Sequence, residues 1–452
     1  MPQDCRWSPG DRSVGLGRSC DCLCSGRCRP SPQVNSARDL TALGWLASAL
    51  CSLQSFAHAM AHYCAAMKWI AHHPARELPR LDGAAPSEVA SFHQRLAGYA
   101  PTPLVDAPTL AEQVGVGKVL VKHEQQRFGL PAFKSLGASW AIARELLRRC
   151  DPTTQPVESE RELAALGAQL GPLTLVTATD GNHGRGVAHW ARRFGCEAHI
   201  LVPHHTSAGR ISAIQSEGAR VTVVDGDYDE TVRRAAALAD DRHVVISDTS
   251  WPGYVDIPSW IAQGYLTMFH ELDAQLEAIG VTHLDGVIVP IGVGGLGITA
   301  ASFWADQSPR PRLIGVEPYG AECMYESLRR GESVTVDGPQ ESIMVGMNCG
   351  TLSEIAWPFL RECFSGCVVI EDDYAVRAMR AFADLGLVVG ETGAASTAAL
   401  FALAENPSAL HGLGLDEESV VLTIATESAS DPECYRQLVG TTPEAVRSRH
   451  TT

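Results

Sequence analysis

The sequence predicts an α/β protein made of two open parallel-sheet domains with the functional site between them. Two observations carry this. From Leu173 onward, short apolar runs alternate with stretches of helical spacing, the pattern of right-handed βαβ units in a parallel sheet. Two of these runs lead directly into glycine-bearing loops, Thr179–Gly184 and Gly292–Gly297, each followed by a helical stretch. Open α/β sheets bind their ligands in such loops, at the C-terminal ends of the strands.

The elements follow in order. Leu173–Ala178 is short and apolar, as a buried parallel strand requires. Helical spacing covers Arg185–Phe194. Ala198–Val202 is the next strand, and Pro203 ends it. Ser207–Glu217 reads as helix, Val221–Val224 as strand, Glu230–Ala239 as helix and Val244–Ser247 as strand. A second series opens with a long helix, Ile261–Ile279, and continues with a strand over Gly286–Pro290 and a helix over Ile298–Ala305. Leu313–Val316 is strand, Tyr374–Leu385 and Gly393–Ala404 are helices, and Val420–Ala425 is the last strand. Asp151–Leu170 is a polar insertion with helical character. These boundaries predict a large domain from residues 75–136 and 260–452, and a small one from 137–259.

Composition narrows the function classes. The 452 residues give room for two or three domains, and 45% hydrophobic with 19% charged residues describes a soluble globular chain. A net charge of −16 without a basic cluster argues against nucleic acid as a partner. The first 66 residues differ: they carry a net +2 and hold five of the 14 cysteines within the first 28 positions. Cys20, Cys22, Cys24 and Cys28 lack the second pair that a structural zinc site needs, so this stretch reads as a disordered or mis-annotated extension, with Met60 and Met67 as alternative starts. Gly44–Leu53 is apolar enough for a signal segment, but it begins too late and is followed by Gln54, His58 and His62, so it is neither signal nor membrane span. The other nine cysteines are scattered, as in a reducing, cytoplasmic compartment. Cys323 and Cys349 flank the second glycine-loop half, either as a pair or as two free thiols.

The chemistry starts from a scarcity. Only four of the 36 basic residues are lysines, and Lys134 sits in Ala132-Phe133-Lys134-Ser135-Leu136-Gly137-Ala138, at a helix start. Arginine can replace lysine as a surface charge but cannot form a Schiff base, which makes Lys134 a candidate chemical lysine; the alternative is an ordinary lysine at a helix edge. Three further features follow in chain order. Asn182, in the first loop, can donate to a phenolic ring oxygen. Gly292, Gly294, Gly295 and Gly297 can present backbone N–H groups and a helix N-terminus to one phosphate, or serve only as a tight turn. Thr426, after the last strand, can meet a pyridine nitrogen, with Ser430 as its rival; either hydroxyl could instead bond its own loop backbone. Together these suit pyridoxal phosphate. One competitor shares the glycines: Gly292, Gly294 and Gly297 also fit the dinucleotide fingerprint, with Glu317 ending the next strand as its acid. An NAD reading leaves Lys134 and Asn182 without a role.

The motifs Ala132-Phe133-Lys134, Ala178–Gly186, Gly315-Val316-Glu317-Pro318, Met344–Gly350 and Thr426–Pro432 resemble those of the diaminopropionate ammonia-lyase family, within the fold-type II (tryptophan synthase β-like) pyridoxal-phosphate enzymes. The resemblance runs from about Arg76 to Val439. It implies a homodimeric lyase that removes ammonia from D- or L-2,3-diaminopropionate and yields pyruvate and two ammonia through aminoacrylate. It gives Lys134 to the cofactor and to one proton transfer. It gives Asp180 to proton transfer from the opposite face or to the β-ammonium, where dehydratases of the fold carry Ser or Ala. The plainer alternative for Asp180 is a helix cap, and for His183 a structural loop histidine. Ser428 and Ser430 depart from the family's Gly and Thr. A serine/threonine dehydratase or β-replacement enzyme with the same cofactor is the second functional reading, and a non-catalytic ligand sensor the third.

Overall fold

The structure is a computed structural model that describes residues 67–75, 78–150 and 159–449. The cysteine-rich stretch, Gly44–Leu53 and residues 151–158 of the polar insertion lie outside them. Two sheets organise the chain from Met67 on. The larger has seven strands: β1 (Lys68–Ala71), β2 (Leu104–Asp106), β3 (Lys118–His123), β8 (Gly286–Pro290), β9 (Arg312–Pro318), β10 (Phe364–Ile370) and β11 (Val420–Ala425). Their spatial order is β1-β10-β9-β8-β11-β3-β2. The five inner strands run parallel, and β1 and β2 close the edges antiparallel. The smaller sheet is wholly parallel and holds β4 (Thr174–Ala178), β5 (Glu197–Pro203), β6 (Arg220–Val224) and β7 (His243–Val245) in the order β6-β5-β4-β7.

Strands β8 and β11 occupy the residues expected of them, because an apolar run covered on both faces has no polar position to blur its ends. Helix starts move more. The helix expected from Arg185 begins at Asn182, and the one expected from Ile261 begins at Asp256, since Pro258 fits a first turn. Strand β10 escaped the sequence reading. Its apolar run is broken by Ser365, Gly366 and Cys367. At Gly366 (φ +156°) a Cβ would lie 2.2 Å from the Ile70 carbonyl of β1, and the register shifts at this point. The residues that interrupt the pattern are those that let β1 pair.

Three helices meet around Lys134. The helix Lys134–Arg148 crosses the helix Asp256–Ala278 at a pair of facing glycines. A Cβ on Gly264 would stand 2.6 Å from Gly137 Cα, and one on Gly137 would stand 2.7 Å from the Ile261 carbonyl. The backbones therefore touch, and neither position tolerates a side chain. On its other flank the helix packs against Asn182–Arg193, where Trp190 Nε1 donates to Ser135 Oγ at 2.9 Å. Upstream, the segment between β3 and Lys134 is anchored by a buried ion network. Arg127 donates to both oxygens of Glu124 and both of Glu271, and Lys122 Nζ donates to Glu271 at 2.8 Å. Removing one partner would leave a buried charge uncompensated.

Two outcomes are expected from this packing. Gly264→Ala overpacks the crossing and should lower unfolding free energy by about 1–3 kcal/mol, read from urea unfolding. Glu271→Gln should cost about 3–5 kcal/mol by the same measurement; a loss below about 1 kcal/mol would show that the network does not anchor the segment.

Candidate active site

The three loops that follow β4, β8 and β11 converge on one cavity of about 1040 Å³, counting its solvent-open mouth. Lys134, Asp180, Asn182, Gly292, Gly294, Gly295, Thr426 and Ser430 all line it. Gly297 does not: it faces the core, where a Cβ would meet Leu360 Cδ2 at 2.6 Å. Its glycine is explained by packing.

Lys134 opens its helix and points at Asp248, which follows β7. Nζ donates to Asp248 Oδ2 at 2.6 Å. Burial alone would push the ammonium down, but the Asp248 carboxylate more than offsets it and the pKa ends above the usual lysine value. Burial likewise penalises the Asp248 carboxylate, yet Lys134 and His183 pull it below the usual range. Both groups are therefore charged and paired. Tyr228 OH stands 3.4 Å from the other Asp248 oxygen. Asp248 was missed in the sequence reading, although its position one residue beyond the expected strand Val244–Ser247, at a C-terminal strand end, was a usable signal.

Asp180 has the opposite environment. Burial raises its carboxyl to about 7, and the neighbouring Asp248 charge adds to this, while Arg210 and Lys134 oppose it. Its Oδ1 is buried and has no hydrogen-bond partner. It does not cap the following helix: that work falls to Thr179, whose Oγ1 accepts from Gly181 N at 2.9 Å and Gly184 N at 3.0 Å. His183 is tied by Nε2 to the Ile246 carbonyl at 2.7 Å, and burial lowers its pKa, which fits the structural reading of that residue.

The loops after β8 and β11 could hold a phosphorylated ring. Gly294 has φ +99° and precedes the helix Gly295–Trp304, whose N-terminus has no side-chain cap. A Cβ on Gly292 would stand 3.0 Å from the Gly346 carbonyl, and one on Gly294 2.6 Å from Ala356 Cβ. At Gly295 a Cβ would meet only Tyr265 at 3.8 Å, so packing does not keep that position bare; room beside free N–H groups suits a phosphate. Thr426 Oγ1 is buried and has no partner, whereas Ser430 Oγ already donates to Glu427 Oε2 at 2.8 Å. Of the two hydroxyls, Thr426 is free for a ring nitrogen. Asn182 lines the cavity and gives one amide hydrogen to Glu427 Oε2, which leaves its second N–H for a ring oxygen. Ser428 keeps the backbone in place by donating from its N–H to the Pro131 carbonyl at 2.8 Å.

Glu317 cannot read a ribose. Its carboxylate is buried and accepts from Met324 N at 2.7 Å, Tyr325 N at 2.8 Å and the thiols of Cys323 and Cys367. That removes the acid on which the dinucleotide reading depended. Cys323 and Cys349 are both buried and free.

A lysine at a helix start, a bare glycine cradle and an unpartnered hydroxyl around one cavity, on this pair of sheets, define a fold-type II pyridoxal-phosphate enzyme. The family model for pyridoxal-phosphate dependent enzymes matches residues 96–427. Diaminopropionate ammonia-lyase from Escherichia coli is 38% identical over 366 residues, covering 78% of this chain and 91% of the relative. The enzyme of the same name from Salmonella typhimurium is 34% identical over 378 residues, with 80% and 93% covered. A crystal structure of the E. coli enzyme with an aminoacrylate-PLP azomethine reaction intermediate superposes with a TM-score of 0.73 at 34% identity, covering 82% of this chain and 96% of that one. The chain belongs to the diaminopropionate ammonia-lyase family.

The Asp180 environment carries a stability consequence. Its carboxyl titrates near 7 folded and near 3.8 unperturbed, so the folded state binds that proton more tightly. Stability is then lost as pH rises through that window. Asp180→Asn should raise the melting temperature at pH 8, by about 2–4 °C for each kcal/mol relieved, and leave it unchanged near pH 3. A lower melting temperature at pH 8 would contradict the placement.

Proposed function

We propose that this chain eliminates ammonia from 2,3-diaminopropionate and releases aminoacrylate, which hydrolyses to pyruvate and a second ammonia. Pyridoxal phosphate, when bound, withdraws electrons and so makes the α-proton of an attached amino acid removable. The remaining work falls to side chains. Lys134 holds the cofactor. The N–H groups around Gly292, Gly294 and Gly295 take the phosphate, Thr426 faces the ring nitrogen and Asn182 the ring oxygen. Lys134 Nζ, once free, accepts the α-proton from one face, and Asp248 stabilises the ammonium that forms. Asp180 takes the proton of the other enantiomer or holds the β-ammonium, which must stay protonated to leave as ammonia.

The observation that carries this reading is the pair of carboxylates with opposed environments. Asp248 is fixed in its ionised form by Lys134, whereas Asp180 is left without a hydrogen bond on Oδ1 and titrates near neutrality. Groups pushed apart in this way take different acid–base roles. A hydroxy amino acid offers no second ammonium for such a carboxylate, which ranks the dehydratase reading second.

The same proposal divides the chain into a large domain around the seven-stranded sheet (75–136 and 260–452) and a small one around the four-stranded sheet (137–259), with the cavity between them. A homodimer is part of the proposal, supported by the family resemblance alone. A cytoplasmic location is supported by the seven free cysteines among the described residues. Among those residues no helix is long and apolar enough to cross a membrane.

The test is turnover of each enantiomer by holoenzyme. Pyruvate should form from one or both isomers. Lys134→Ala should abolish it, and Asp180→Ala should cut it by about 10²–10⁴-fold, chiefly for one isomer. A serine turnover that exceeds both isomers and survives Asp180→Ala would move the assignment to the dehydratase reading.

A further inference from the structure

One buried hydroxyl behind the cavity has no partner and no role in the chemistry set out above. Tyr265 lies on the helix Asp256–Ala278 and is 1% exposed, and its OH makes no hydrogen bond among the described residues. Leaving such a group unpaired in the interior is costly. Burial pushes the phenol above the usual tyrosine value, so the proton stays on and the group can donate. The ring is held on three sides. Phe133 tilts against it with centroids 4.6 Å apart. A Cβ on Gly137 would stand 2.5 Å from Cε1, and one on Gly295 3.8 Å from Cε2. The carbon that bears the hydroxyl lies between those two ring carbons, so the O–H is aimed between the first turn of the Lys134 helix and the first turn of the helix Gly295–Trp304. The second of these starts without a side-chain cap, which leaves N–H groups of its first turn open. Lys134 and Asp248 are the charged groups that act on the phenol, and they are paired with each other. Around the hydroxyl there are donors without an acceptor to share.

We infer that Tyr265 is a side-chain donor to the phosphate of the cofactor and completes, from the helix side, a cradle that is otherwise backbone. The inference rests on the proposed placement of the phosphate at Gly294 and Gly295. An oxyanion there supplies the acceptor that the open N–H groups and the hydroxyl both lack. A hydrogen bond from O–H to an ionised oxygen is shorter and stronger than one between neutral groups. The same arrangement accounts for the bare Gly137, since the ring fills the space that a Cβ would need. Because that ring also packs on Phe133, the residue before Lys134, one rigid side chain sets the phosphate and the lysine relative to each other. Tyr265 is thus a positioning residue for Lys134 as well as a contact to the phosphate.

The experiment uses Tyr265→Phe, which removes the hydroxyl and keeps the ring. Affinity of the full chain for pyridoxal phosphate and for pyridoxal, which lacks the phosphate, is read from the visible absorption of the bound ring, and melting temperature is followed with and without cofactor. The variant should bind pyridoxal phosphate about 10–100-fold more weakly, as expected for loss of a hydrogen bond to a charged group, and pyridoxal within about twofold of wild type. Without cofactor it should melt no lower than wild type, since the lost hydroxyl had no partner there. Unchanged affinity for pyridoxal phosphate, or equal weakening of both ligands, would overturn the inference. So would a variant that melts lower without cofactor or fails to fold, because the hydroxyl would then serve the protein and not the phosphate. Gly295→Asp tests the placement of the phosphate separately: an acid suits a helix start but repels an oxyanion, and it should abolish retention of pyridoxal phosphate. If Gly295→Asp binds the cofactor as wild type does, the proposed cradle itself fails and the role of Tyr265 with it. If it loses the cofactor while Tyr265→Phe binds it unchanged, the cradle stands and only the role of Tyr265 falls.

Discussion

The ion pair between Lys134 and Asp248 is the contact on which the rest of the site depends. Lys134 belongs to the helix that follows the β3 segment, and Asp248 to the end of β7 in the other sheet. The pair joins the two sheets at the cavity floor and sets the charge of both partners. Keeping a lysine half-buried costs desolvation, which here is offset chiefly by the Asp248 carboxylate. The scaffold is correspondingly rigid around Lys134. The glycine crossing of Gly137 and Gly264 and the Arg127–Glu271 network leave its helix little freedom to shift. Preorganised support of this kind would hold the nitrogen proposed to react at Lys134 in register.

Around that pair the cavity separates its acids by environment. Asp248 is paired and ionised. Asp180 is partnerless at Oδ1 and sits near its titration point. Glu427 is saturated, accepting from Asn182, Ser430 and the Thr392 N–H. Three carboxylates within one cavity thus have three tasks, and the difference lies in what each accepts. The arrangement suits a substrate that arrives with two ammonium groups and leaves one of them as ammonia.

Much of this was legible in the sequence, for identifiable reasons. Lys134 stood out because the chain otherwise uses arginine, and the loops at Thr179–Gly184 and Gly292–Gly297 because glycine after an apolar run has few other uses. Strands β8 and β11 were legible to the residue because burial on both faces leaves a run that is almost wholly apolar. What was not legible depends on distant pairing. Asp248 gains its role only when β7 ends opposite the Lys134 helix. Glu427 was part of a recognised motif, but its function as an acceptor for Asn182 needs the two sheets to meet. Gly297 carries the same signature as its neighbours and does a different job, because only the packed core reveals Leu360 beneath it.

The most direct test of the account is the ratio of ammonia to pyruvate released by holoenzyme from 2,3-diaminopropionate, measured beside serine. The account predicts two ammonia per pyruvate from diaminopropionate of at least one configuration, one from the β-carbon and one from hydrolysis of aminoacrylate. A single ammonia per pyruvate from serine, with diaminopropionate inert in both configurations, would contradict it.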